Sequence, residues 1–288
     1  MPAALHNLGS VRLARGEFPA AEKTLAAALK LKRVVRGADA NVASCLNDLG
    51  IARKQLGKLK AAEACFEEAL GLYAADGDRG DGAARAADVA CARINLGNVY
   101  MSTGQITGAE ACYGAALAAF REIHGATARN ADVAKALGNL GVVRDTRGDY
   151  AAAAAHHAEA LAMQLAVYGG DAANAELANS RENLGHALSH RGGPGDLAAA
   201  EAHLAASLAM RRRLVAGQEY PLVRTLGKLA AVSAKRGEPA AAVAHYGAAL
   251  DLLAAMDGDE PLVAHKTRKI DASLRALLAE LGAPSAGG

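Results

Sequence analysis

The sequence predicts an all-α fold built as an array of helix pairs. Three observations carry this expectation. Alanine, the strongest helix former, supplies about a quarter of the 288 residues. Aromatic residues are only 3% of the chain and there is no Trp, so a core must come from close approach of helices. Most informative, one pattern recurs six times: a Leu beside a small residue, a Gly near the end of the same helix, and a closing Ala-Leu or Ser-Leu.

The six units, in order, occupy 5–29, 46–70, 93–117, 137–161, 181–208 and 226–250. Their small-residue anchors are Gly9, Gly50, Gly97, Gly141, Gly185 and Ala230, spaced by 41, 47, 44, 44 and 45 residues. The first half of each unit reads as a helix, with apolar or small residues at i, i+3, i+4 and i+7, as at Leu46, Leu49 and Gly50. Each first helix meets a stop at Gly16, Gly57, Gly104, Gly148, Gly192 or Gly237, where the left-handed conformation ends a helix. A second helix then runs to the closing pair. Pro19 and Pro239 fall in its first turn, where proline is tolerated. The fifth unit carries three extra residues in its turn. Small residues such as Gly50, Ala62 and Ala69 are placed to let the two helices cross closely.

On these residues the chain resembles the tetratricopeptide repeat: a small residue, a Gly seven positions later, then Ala, a large residue and Ala in the second helix. The period in the forties, the Leu-x-Asn-Leu openings and the leads Asp88-Val89-Ala90 and Asp132-Val133-Ala134 resemble the kinesin light chain type of repeat. Arg93 and Arg181 replace the usual large residue early in the first helix, and Arg12, Arg53 and Arg144 stand where Tyr is common. The resemblance implies a right-handed α-α superhelical solenoid of about six helix pairs. The expected organisation is a single array over 1–281, with repeats at 3–37, 40–76, 85–125, 130–169, 174–217 and 220–256. A polar helix at 260–281 is expected to cap the stack, and 282–288 to be a disordered tail. The first repeat begins almost at Met1 with no polar helix before it. The expectation is either a fragment of a larger protein, such as the sensor or regulatory array of an NTPase-type signalling protein, or end-to-end contact with a partner through that face.

Bulk properties narrow the function classes. A net charge of +2 gives no electrostatic footprint for nucleic acid or an acidic membrane. No apolar run approaches the roughly 20 residues of a membrane span. Cys45, Cys65, Cys91 and Cys112 form no CxxC pair and no metal-ligand spacing, which points to reduced thiols and a cytoplasmic setting. His186 and His190 stand at i, i+4 on one helix face but lack an HExxH pattern or an obvious third ligand, so no metal site is assigned. The aspartate-rich stretch 75–82 fails the calcium-loop pattern and reads as an inserted loop. GGPGD at 192–196 is a lengthened turn without the Gly-Lys-Ser/Thr of a phosphate loop. No nucleophile and base stand at a credible spacing. The chain is therefore expected to be no enzyme and to need no cofactor.

What remains is a strip along the first helices. The packing residues occupy two sides of each wheel and leave a third side for other work. By resemblance, that strip is the concave groove that holds a peptide segment of a protein partner. Reading along it gives Asn7, Asp48, Asn95, Asn139, Asn183 and Lys228, a ladder of amides with one acidic member. An Asn offers donors and an acceptor, so it can satisfy a peptide backbone without dictating its side chains. Asn47, Asn98, Lys135, Asn179, His186 and Arg224 complete the expected groove. Lys135, Arg224, Lys228 and Lys235 stand there against Asp145 and Glu182, which favours a mildly acidic peptide. The terminal-carboxylate clamp known from chaperone-binding repeats is rejected, because His6, Ser10, Asp48, Cys91 and Asn95 lack its basic members.

Overall fold

The computed structural model describes residues 2–36, 39–75, 82–125, 130–170, 173–214 and 219–256, with single positions between 268 and 279. The described residues are helical apart from short turns and contain no strand. The helices are α1 Pro2–Ala14, α2 Phe18–Arg36, α3 Ala40–Gln55, α4 Leu59–Ala75, α5 Gly82–Ser102 and α6 Ile106–His124. They continue as α7 Ala131–Thr146, α8 Tyr150–Tyr168, α9 Ala175–Arg191, α10 Asp196–Arg213, α11 Glu219–Lys235 and α12 Pro239–Ala254. The architecture is the all-α helix-pair solenoid that the repeats imply. Of the expected cap at 260–281, only Arg268, Ala272, Ser273, Arg275, Ala276 and Ala279 are described, all helical; the tail at 282–288 and most of the loop at 75–82 lie outside the described residues.

The chain divides into two compact units, Met1–Val143 and Arg144–Gly288. The first contains α1 to α6 and most of α7; the second contains the last turn of α7 and α8 to α12.

The turns inside the pairs follow one local rule. All six stop glycines adopt positive φ, between 72° and 78°. At Gly57 the amide N–H donates to the Lys54 carbonyl at 3.0 Å, and the next N–H, of Lys58, reaches back to Arg53 at 2.9 Å. The same two bonds recur at Gly16, Gly104, Gly148 and Gly237. This double bond closes the orphan carbonyls of the first helix and turns the chain into the second. At the opposite ends, Asp39 and Asn174 cap α3 and α9 by accepting two backbone N–H groups each.

The anchors explain how a core forms with so few aromatics. A Cβ built at Gly97 would lie 2.6 Å from the Tyr113 ring, and one at Gly50 would lie 2.6 Å from Phe66. The large side chain of the second helix thus lies directly on the backbone of the first. Around it, Ala62, Ala69, Ala92, Ala109 and Ala116 are fully buried. Two of the three arginines that stand where Tyr is common, Arg12 and Arg53, also work inside the pair. Arg53 Nη1 donates to the Cys65 sulfur at 3.1 Å and to the Ala61 carbonyl at 3.4 Å. Arg12 makes the equivalent bonds to Thr24 and Ala20. A long cation therefore closes the pair by hydrogen bonds to the second helix.

Candidate functional site

The polar strip of the first unit lies on α1, α3, α5 and α7. Asn47, Asp48, Asn95, Asn98 and Asn139 are all half-buried, whereas Asn7 and Lys135 are exposed. Asn95 donates through Nδ2 to Asn47 Oδ1 at 3.1 Å, so neighbouring repeats are stitched along the strip. Asn98 accepts from the Tyr113 hydroxyl at 2.8 Å and so braces its own pair. Asn139 buries its amide Nδ2 without a hydrogen-bond partner. Asp48 accepts from Ser10 Oγ at 2.5 Å and lies 3.1 Å from His6 Nε2. The His6 Nδ1 side is met by Lys32 Nζ at 2.8 Å, and Lys32 also donates to the Asn41 carbonyl. The acid of the ladder is thus already engaged within the repeat stack. Lys54 sits nearby with its pKa lowered, by burial first and by the positive charge of Lys135 second.

In the second unit the strip is organised by two carboxylates. Glu182, expected on the groove surface, is 0% exposed. This corrects the sequence reading, and the cause is three long cations folded over it. Arg211, itself 1% exposed, reaches it from α10 at 3.0 Å. Arg224 and Lys228 reach it from α11 at 2.7 and 2.9 Å. Thr225 Oγ1 adds a hydrogen bond at 2.9 Å. Asn179 Oδ1 accepts from Arg211 at 2.6 Å and from Arg224 at 3.3 Å. Burial alone would push the Glu182 carboxyl up, but Lys228 and Arg224 overcome it and hold the pKa down at about 2. The sequence reading missed Arg211, because it lies on a second helix within the run Arg211–Arg213 and resembles an ordinary helix end.

Asp145 forms the second centre. His157, 1% exposed, brings Nε2 to 3.1 Å from it, and His186 Nδ1 lies at 3.8 Å. Burial opposes ionisation of Asp145, yet the two imidazoles hold its pKa at about 2. The His186 and His190 rings lie tilted by 39° with centroids 4.5 Å apart, and Tyr150 packs against His190 at 4.9 Å. Among the described residues no group of three or more His, Cys, Asp or Glu is placed to hold a metal ion. Lys235, itself exposed, donates to the Ser189 carbonyl at 2.8 Å. Asn183 is half-buried on α9.

Beside these centres the second unit contains a cavity of about 430 Å³. Strip residues His186, His190, Arg224 and Lys228 line it, with Tyr220 and Tyr246. The structure therefore gathers three of the expected second-unit groove residues, His186, Arg224 and Lys228, around one concave space, while Asn179 accepts from Arg224 beside it. All four cysteines are free thiols. No described helix is long and apolar enough to cross a membrane.

Comparison with known proteins agrees with this architecture. A family model described as tetratricopeptide repeat matches residues 1–75 and 88–166. No curated protein matches the chain. Among solved structures, the chain is similar to BtubC (BKLC) from P. vanneervenii at 22% identity, with TM-score 0.68, covering 83% of this chain and 92% of that one. It is similar to the apo form of RapI at 12% identity and TM-score 0.62, over 97% and 99% of the two chains. It is also similar to a structure of kinesin light chain nearly identical TPR-like repeats from Podosopora anserina, at 15% identity and TM-score 0.53, over 84% and 97%.

Proposed function

The chain belongs to the tetratricopeptide repeat family, and from that premise we propose that it is a non-enzymatic interaction scaffold that holds a peptide segment of a protein partner along its polar strip. The observation that carries the reading is Asn139. Its amide nitrogen is buried and without a hydrogen-bond partner in the free chain, on a residue that is itself half-exposed on the strip. Burying a donor unpaired is costly, and a bound peptide carbonyl would relieve that cost. Asn95 and Asn47 stand half-exposed on the same strip and can exchange their mutual bond for bonds to a peptide backbone. One of the similar structures bears a kinesin light chain name, which fits a kinesin-light-chain-like scaffold. The four free thiols, two of them buried, fit a cytoplasmic setting.

The test uses a displayed peptide library selected on the full chain, followed by affinity measurement on the enriched peptide. Asn95→Ala combined with Asn139→Ala is expected to weaken that peptide by about 1–3 kcal/mol, the cost of leaving peptide groups unpaired. Unchanged affinity with intact helicity would return the ladder to architecture.

A further inference from the structure

The cavity of the second unit has a chemistry that a peptide backbone does not require. Three cations, Arg211, Arg224 and Lys228, share the single carboxylate of Glu182. The cluster therefore carries two positive charges in excess. Arg211 is sealed inside, so the excess is displayed by Arg224, about two-fifths exposed, and Lys228, about a quarter exposed. Both line the cavity, and among the described residues no carboxylate does. Glu182 holds the two heads by ion pairs to Arg224 Nε and Lys228 Nζ and by a hydrogen bond from Arg224 Nη2, so the Arg224 Nη1 group and the Lys228 protons are not used in hydrogen bonds to it. The remaining polar wall is made of the Ser273 hydroxyl and of phenol and imidazole groups on Tyr220, Tyr246, His186 and His190. Four flat rings thus flank two pre-positioned cations.

A singly charged carboxylate would neutralise half of this excess. A phosphate monoester carries about −1.5 to −2 at neutral pH and three strong acceptor oxygens, which matches both the charge and the number of donors. A volume of about 430 Å³ admits a ring together with its phosphate and is too small for a folded segment. We propose that this cavity binds the phosphate monoester of a compound that also carries a flat ring, with Arg224 and Lys228 on the phosphate and the tyrosine and histidine rings against the carrier. The inference goes beyond peptide capture along the strip and stands independently of it. The carrier is either a phosphorylated tyrosine side chain or a nucleoside monophosphate, since both present a ring and a phosphate.

The test is calorimetric titration of the full chain at neutral pH with phenyl phosphate as the probe. Saturable binding is expected, at least roughly tenfold tighter than phenylacetate, because a dianion meets two fixed cations. Phosphotyrosine and adenosine monophosphate, titrated in parallel, identify the carrier: tighter binding of one names the source, and failure of both overturns the ring assignment. Lys228→Ala should weaken phenyl phosphate by roughly tenfold or more while Arg211 and Arg224 still pair Glu182. Tyr220→Leu provides an independent readout that leaves the ion cluster untouched; it should bring phenyl phosphate down towards inorganic phosphate. No saturation at millimolar probe overturns the proposal. So does equal affinity for phenylacetate, or full affinity in both variants with circular dichroism unchanged.

Discussion

The two compact units use the same helix pair but secure their polar strips in opposite ways. In the first, the strip is mostly amides that stay half-exposed, two of them bonded to each other as Asn95 is to Asn47, while its one acid, Asp48, is held by Ser10 and His6. In the second, charged groups are drawn inside, and one fully buried carboxylate ties α9, α10 and α11 together. A bond between two half-exposed amides can open to a ligand at little cost. A buried ion cluster cannot, since each member left alone is a desolvated charge. The contrast teaches that one repeat can serve as an adaptable surface in one place and as a rigid cationic cradle in another, with only the strip letters changed.

The sharpest way to break this comparison is Glu182→Gln. The substitution keeps the shape but strands Arg211 inside with no countercharge. A loss of about 3–5 kcal/mol is expected in the second unit, the range for breaking a buried pair from one side. Hydrogen exchange resolves where the loss falls: amides of α9 to α11 should lose protection while those of α3 to α5 keep theirs. Equal loss in both sets would remove the distinction between the units.

Acid should separate the units in the same direction, with a slightly smaller effect. The Glu182 carboxyl falls from 4.5 to about 2 on folding. A depressed carboxylate stabilises the fold above its unfolded pKa, and that contribution is lost as pH falls through the folded value. The drop corresponds to about 3 kcal/mol, fully present above about pH 5 and lost progressively towards pH 2. Asp145, also held at about 2, adds to the same window. Urea midpoints followed between about pH 6 and pH 2.5 should therefore fall most steeply for probes in α9 to α11. A flat profile there would show that the cluster does not hold the unit.

How much of this was legible in the sequence depends on the range of the physics. Gly16, Gly57 and the other stops could be read directly, because a positive φ is a property of one residue and its nearest bonds. The anchors Gly50 and Gly97 could be read because a fixed spacing brings Phe66 and Tyr113 onto them within one pair. Arg53 could be noticed as a departure, but its bond to Cys65 could not, since that depends on how a long side chain bends back across the pair. Glu182 was placed on the right helix and the right strip, yet as a surface acid. Its burial depends on Arg211, 29 residues away, and on Arg224, 42 residues away, reaching over it. A helical wheel counts faces and does not see a side chain folded over its neighbour. The same limit hid the joining of His157 and His186 at Asp145.

The first unit answers to a different perturbation. Its pairs are held by backbone approach, so Gly97→Ala pushes a methyl to 2.6 Å from the Tyr113 ring. The ring must move, and it also carries the hydroxyl bond to Asn98. Overpacking of this kind costs about 1–3 kcal/mol. Thermal unfolding of Gly97→Ala, with exchange protection lost in α5 and α6, is the measurement. An unchanged melting temperature would mean the pair tolerates a looser crossing than the geometry implies.

The smallest effect is the most discriminating. Asn139→Ala removes a buried amide that has no hydrogen-bond partner in the free chain. A side chain that contributes to architecture loses a bond when truncated, but this one has none to lose, and truncation also removes the cost of an unpaired donor. Stability should stay within about 0.5 kcal/mol of the parent, the level of an ordinary surface change. That near-neutrality sets Asn139 against Glu182: corresponding strips of the two units, with one residue that the fold needs and one that it does not. A substantial destabilisation by Asn139→Ala would place the residue among the builders of the stack and withdraw the observation on which peptide binding rests. A neutral outcome combined with lost affinity for the selected peptide would leave ligand contact as the work of that amide.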